Sequence, residues 1–122
     1  MENFDFDEWV DTWIDYHNYD SKSKEAEDHF WAIETAFNFG YDNPEMLWRL
    51  ILEVLKRNPP PLAEGMLAVG PLEDILTKYG PLFIDRVEKE AAVNPKFKDL
   101  LSEVWEDDND DEIWRRVQKA LQ

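Results

Sequence analysis

The sequence predicts an all-α fold: a compact stack of seven or eight short helices arranged as antiparallel helical hairpins, helical-repeat-like in outline. Three observations predict it. Apolar residues recur at i, i+3, i+4 and i+7 along almost all of the 122 residues. No window alternates apolar and polar residues as a strand would. Four junctions set a small or capping residue before proline, at 43–44, 70–71, 80–81 and 94–95, and Gly40, Gly70 and Gly80 fall where helices should stop. Short connections favour antiparallel neighbours. No pattern recurs at a fixed period, so the likeness to repeat proteins is one of shape.

The first helix is carried by Phe6, Trp9, Val10, Trp13, Ile14 and His17, with Asp7, Glu8, Asp11 and Asp15 on the other face. Ala26, Phe30, Ile33 and Phe37 carry a second, ending near Gly40. The third opens at Asn43-Pro44, a cap followed by proline at the first helical position. It is apolar on nearly every side except the stripe Glu45, Arg49, Glu53, Arg57, so it is expected to be central. Pro59, Pro60 and Pro61 break the chain, and Leu62, Ala63, Met66 and Leu67 suggest a short helix after them. Gly70-Pro71 should close that helix and open one bearing Leu72, Ile75, Leu76 and Tyr79. Gly80-Pro81 then precedes Phe83, Ile84, Val87 and Ala91, and Asn94-Pro95 precedes Phe97, Leu100, Leu101, Val104 and Trp105. The last helix is expected from Asn109, with Glu112 completing a capping box and Ile113, Trp114, Val117, Ala120 and Leu121 as its apolar face.

A chain of this length forms one domain, residues 1–122, with enough core to stand alone. It holds 28 acidic and 13 basic residues, a net charge of −15. With 43% hydrophobic and 14% aromatic residues it is not of disordered composition. The charge is uneven: residues 1–40 hold eleven acids against two lysines. Such a field repels phosphate backbones and anionic lipid, so neither nucleic acid nor membrane is an expected partner. A basic protein is. There are no cysteines, which excludes disulfides and thiolate chemistry. The acidic start is unlike a secretory leader and no apolar run is long enough to span a bilayer, so a cytoplasmic location is expected.

The run Glu106 to Glu112 has the carboxylates a hard cation wants, but it lacks the glycine and closing acid of an EF-hand loop. A solvated loop whose acids favour the N-terminus of the last helix explains it, with Asp111–Arg115 and Glu112–Arg116 as i, i+4 pairs. His17 and His29 read as packing histidines with polar tips, although Glu25 and Asp28 beside His29 allow a carboxylate-paired base to be imagined. No phosphate loop or nucleophile turn is present. No catalytic, cofactor or metal residue is assigned, and the chain is not expected to be an enzyme. Of six tryptophans, Trp9, Trp13, Trp105 and Trp114 sit on or beside apolar faces, while Trp31 and Trp48 are displaced from theirs. Trp31 is the first choice for an exposed contact. On the first helix Asp7, Glu8, Asp11 and Asp15 stand with no lysine or arginine before Lys22, a repulsion that an interaction would explain.

These residues resemble a family of small bacterial helical proteins known only as a domain of unknown function. The likeness runs from Trp13-Ile14 and Tyr16-His17 through Phe30-Trp31-Ala32, Pro44-Glu45 and Trp48 to Trp105 and Trp114. Its most specific parts are Gly70-Pro71-Leu72-Glu73-Asp74 and Phe83-Ile84-Asp85-Arg86-Val87-Glu88. It implies a stand-alone bacterial helical domain and brings no activity or site residues. Read physically, both blocks begin short proline-led helices, so Asp74 could meet Arg86 across a helix pair.

Two functions are expected to compete. One is a small acidic inhibitor or immunity-type protein that masks a basic partner such as a nuclease toxin through Asp7, Glu8, Asp11 and Asp15. The other is a helical adaptor or scaffold module that holds a peptide or domain in an apolar groove, with Trp31 as a contact.

Overall fold

The computed structural model describes residues 4–106 and 109–122. Among them every regular element is helical: α1 (Phe6–Tyr16), α2 (Lys24–Asp42), α3 (Pro44–Lys56), α4 (Pro61–Leu67), a π-helical turn (Ala68–Leu72), α5 (Glu73–Val93), α6 (Pro95–Leu101) and α7 (Asp111–Ala120). The starts follow side-chain caps. Asp5 accepts from the Glu8 N–H at 3.0 Å and Ser23 from that of Ala26 at 3.1 Å. Asn94 accepts from Lys96 and Phe97, and Asn43 from Met46, each with proline next in the chain. The last cap lies one residue later than expected: Asp110, not Asn109, accepts from the N–H groups of Glu112 and Ile113.

Two of the expected breaks do not break the chain. Pro71 lies inside the π-turn, where the widened backbone absorbs its missing N–H and α4 passes into α5 without a loop. Pro81 lies inside α5, and the strain is taken up by a kink at Tyr79 (φ −131°, ψ 24°). The α4–α5 unit is therefore one bent helical body from Pro61 to Val93, and the described residues form six such bodies rather than seven or eight. Gly40 does not stop α2 either. The helix runs two residues further, and Asn43 closes α2 while opening α3.

As its composition predicts, α3 is central, packing on α1, α2, α4, the π-turn, α5 and α6. Leu50, Ile51 and Val54 are fully buried there. Trp48 is 7% exposed and meets the Phe83 and Phe97 rings at 5.8 and 5.5 Å, so its displaced position marks a second packing surface. α1 lies along α2, with the buried Trp9 indole N–H donating to the Ala32 carbonyl at 2.9 Å. That contact turns α2 away from its expected face. Ala32, Ala36 and Phe39 are buried, while Phe30 and Phe37 face solvent. Alanines let two helices approach closely, and here that outweighs the burial of two phenylalanine rings.

The Asp74–Arg86 pair does not form. Both residues lie on α5, twelve positions apart on either side of the kink at Tyr79, rather than on two helices packed side by side. Arg86 instead reaches Glu45 at 2.6 Å, which holds the Glu45 carboxyl below its ordinary range. Arg116 likewise leaves Glu112 and spans from α7 to Asp85 (2.7 Å) and Glu88 (2.5 Å) on α5.

Candidate functional site

The acidic face of α1 is solvent-exposed as expected, but two of its four acids share one cation from outside the helix. Arg57, the C-cap of α3, donates to Asp7 at 2.9 Å, to Asp11, and to Glu53 at 3.1 Å. The repulsion that singled out this face is thus relieved by a residue 46 positions away from Asp11, which no local reading of charge reveals. Glu8 and Asp15 have no ion pair among the described residues.

The outward side of α2 holds more. Phe37 is 53% exposed, Tyr41 74% and Trp31 38%, with Phe30 beside them. Glu25, Glu27, Asp28, Glu34 and Asp42 are exposed on the same helix, and no lysine or arginine occurs between Glu25 and Trp48. Trp31, Tyr41 and Phe4 wall an open cleft of about 550 Å³. Trp31 is accordingly accessible, yet Trp105, expected on an apolar face, is more so at 63%. It follows the end of α6 at Leu101, where the chain has left the helix and its period no longer points inward.

Behind Phe37 lies a smaller apolar pocket of about 60 Å³ between α1, α2 and the π-turn, lined by Trp13, His17, Ile33, Phe37, Met66 and Asp74 among others. Gly70 and Pro71 also line it, and a Cβ at Gly70 would meet open space, so the π-turn leaves this flank uncovered. His17 packs edge-on against Trp13 at 4.5 Å, and its Nε2 is buried with no hydrogen-bond partner. Burial pushes the imidazole below its ordinary pKa and favours the neutral ring. Burial pushes the Asp74 carboxyl up, against the opposing pull of Lys78, whose ammonium lies 3.9 Å away and also 4.1 Å from the centre of the Tyr41 ring. Sequence reading placed His17 on an apolar face but had no signal for its lining one pocket with Asp74, 57 positions later.

His29 is tied to its own helix, Nδ1–H donating to the Glu25 carbonyl at 2.7 Å, with Tyr19 against its ring. Among the described residues no three His, Asp or Glu side chains gather as metal ligands. Asp107 and Asp108 of the late acidic run lie outside the described residues. No helix among the described residues is long and apolar enough to cross a membrane.

Fold and surface together define an all-helical domain with an acidic, aromatic outer face and a small apolar pocket. The chain belongs to a family of unknown function, DUF6869, whose model matches residues 19–122. α1, and with it Trp13-Ile14 and Tyr16-His17, precedes the matched span. No curated protein and no solved structure matches the chain.

Proposed function

We propose that this chain is a protein-binding domain that receives a basic partner on the outward face of α2. The observation that carries the reading is the run of exposed rings, Phe30, Trp31, Phe37 and Tyr41, interleaved with five acids along a stretch of α2 that has no lysine or arginine of its own after Lys24, Lys78 of α5 reaching only the Tyr41 ring. Aromatic side chains left in water are the residues most often found as binding anchors, and unpaired acids around them steer a cationic surface. A second copy is a poor occupant, because each chain brings a net charge of −15 to the contact. This surface supports the adaptor reading. The immunity-type reading draws its support from the net charge and from Glu8 and Asp15, since Asp7 and Asp11 already serve Arg57.

Capture from the lysate of the source organism at low and high salt, repeated with surface variants, tests both. Trp31→Ser with Phe37→Ser is expected to lose a basic protein that the wild type retains, while Trp105→Ser keeps it. Loss of the same protein with Glu8→Gln and Asp15→Asn, at unchanged capture by the α2 variant, would move the contact to α1 and support masking. A partner retained equally by all three variants would overturn the proposal.

A further inference from the structure

The outer side of α4 is patterned as a core face would be. Leu62, Gly65, Met66 and Val69 follow at i, i+3, i+4 and i+7, the spacing of an apolar helical stripe. Yet Leu62, Met66 and Val69 are exposed, while Ala63, Leu67 and Ala68 on the inner side already serve the core. Glu64, the one acid of this helix, is half-buried and stands off the stripe. Gly65 and Gly70 add a second observation. Neither takes a positive φ, and a Cβ at either would meet nothing within 4 Å. Neither backbone conformation nor internal packing requires glycine there, although glycine weakens a helix relative to alanine. What the missing Cβ allows is the close approach of another backbone from outside.

The apolar surface continues onto α2. Met66 and Gly70 line the same hollow as Ile33 and Phe37, so the outer faces of α4 and α2 are two walls of one groove. Phe30, Phe37 and Tyr41 stand at i, i+7 and i+11 on the α2 wall, a length of about 16 Å or three helical turns. Exposed Glu27 and Glu34 lie beside Phe30 at i−3 and i+4, which gives that wall an acidic edge. An extended strand is a poor occupant. Both walls are helices whose main-chain groups are bonded internally, so they offer no edge to pair with. A helix satisfies its own backbone and needs only side-chain contacts. A second copy would crowd Glu27 and Glu34 of both chains into one self-complementary interface, and an anionic bilayer meets the same repulsion.

We infer that this groove receives a basic amphipathic helix of the partner, its apolar stripe against Phe37, Met66 and Val69 and its backbone nearest Gly65. Lysines or arginines beside that stripe face Glu27 and Glu34. The inference rests on the protein-binding reading and adds to it the form of the partner and a second wall on α4. The probe is a leucine–lysine peptide of about 14 residues with leucine at helical spacing. It is added to the full chain, isotope-labelled at its Leu, Met and Val methyl groups.

Saturable shifts at Leu62, Met66 and Val69 are expected, with a dissociation constant of about 10–100 µM. A peptide of the same composition with leucine and lysine in alternation, the pattern of a strand, should bind about tenfold more weakly. Gly65→Gln fills the open space with a better helix former. Its melting temperature should rise by about 2–5 °C while its affinity for the helical peptide falls about tenfold, so the loss is not one of folding. Equal affinity for the alternating peptide, shifts confined to α1, or undiminished binding by Gly65→Gln would each overturn the inference. So would self-association of the free chain that Gly65→Gln abolishes, which would give the groove to a second copy. The two readings fail separately. Peptide shifts at Met66 alongside a captured partner that ignores Trp31→Ser with Phe37→Ser would sink the α2 proposal alone. A partner lost by that variant, with no saturable shift at Met66, would sink the groove alone.

Discussion

Trp9 and His17 show how single side chains are used here. Trp9 is fully buried, and its indole N–H ties α1 to α2 by donating to the Ala32 carbonyl at 2.9 Å. Trp9→Phe removes that bond and part of the ring, and should cost about 1–3 kcal/mol in urea unfolding. His17 gives a pH signature. Its pKa is lowered on folding, so the unfolded chain binds the proton more readily. Its contribution is full above 6.5 and is lost as pH falls from there through the lower folded value. Stability measured across that window should decline toward acid in the wild type and less steeply in His17→Gln. Asp74, which lines the same pocket, has the opposite sign. Its carboxyl is raised above 3.8 on folding, so its contribution is favourable in acid and lost as pH rises through the folded value. Asp74→Asn should therefore match or exceed wild-type stability near neutrality.

Between elements, two joints decide the arrangement. Gly80 sits under α7, where a Cβ would come within 2.9 Å of Ile113 Cγ1 and 3.2 Å of its two methyl carbons, Cδ1 and Cγ2. Gly80→Ala must push α7 away from α5, and a loss of about 1–3 kcal/mol is expected, with amide exchange accelerated first in residues 111–120. An unchanged exchange pattern would show that Ile113 simply re-seats. Arg57 joins α3 to the acidic face of α1 at a solvent-accessible site. Arg57→Met should cost about 1 kcal/mol, and the difference from wild type should shrink in high salt. A loss independent of salt would mean that the Arg57 stem matters more than its charge.

For the whole molecule the dominant quantity is the net charge of −15, most of it on the first third of the chain. Self-repulsion of this size opposes compactness, so the melting temperature should rise as salt is added and the screening length contracts toward about 10 Å near 0.1 M. A melting temperature that falls instead would place the ion pairs of Arg57, Arg86 and Arg116 ahead of repulsion. The all-α class, the caps at Asn43 and Asn94 and the central place of α3 were legible in the residues, because helical period, capping chemistry and apolar content act locally. The continuity of the Pro61–Val93 body was not, since a proline can end a helix or be absorbed by a π-turn or kink, and packing on α3 and α7 chooses between them. The same holds for the surface. Sequence alone determined that α2 carries alanines on one side and rings on another. Only the tertiary structure decided which side faced water, because α1 could approach the alanines closely and Trp9 had a carbonyl to bond there.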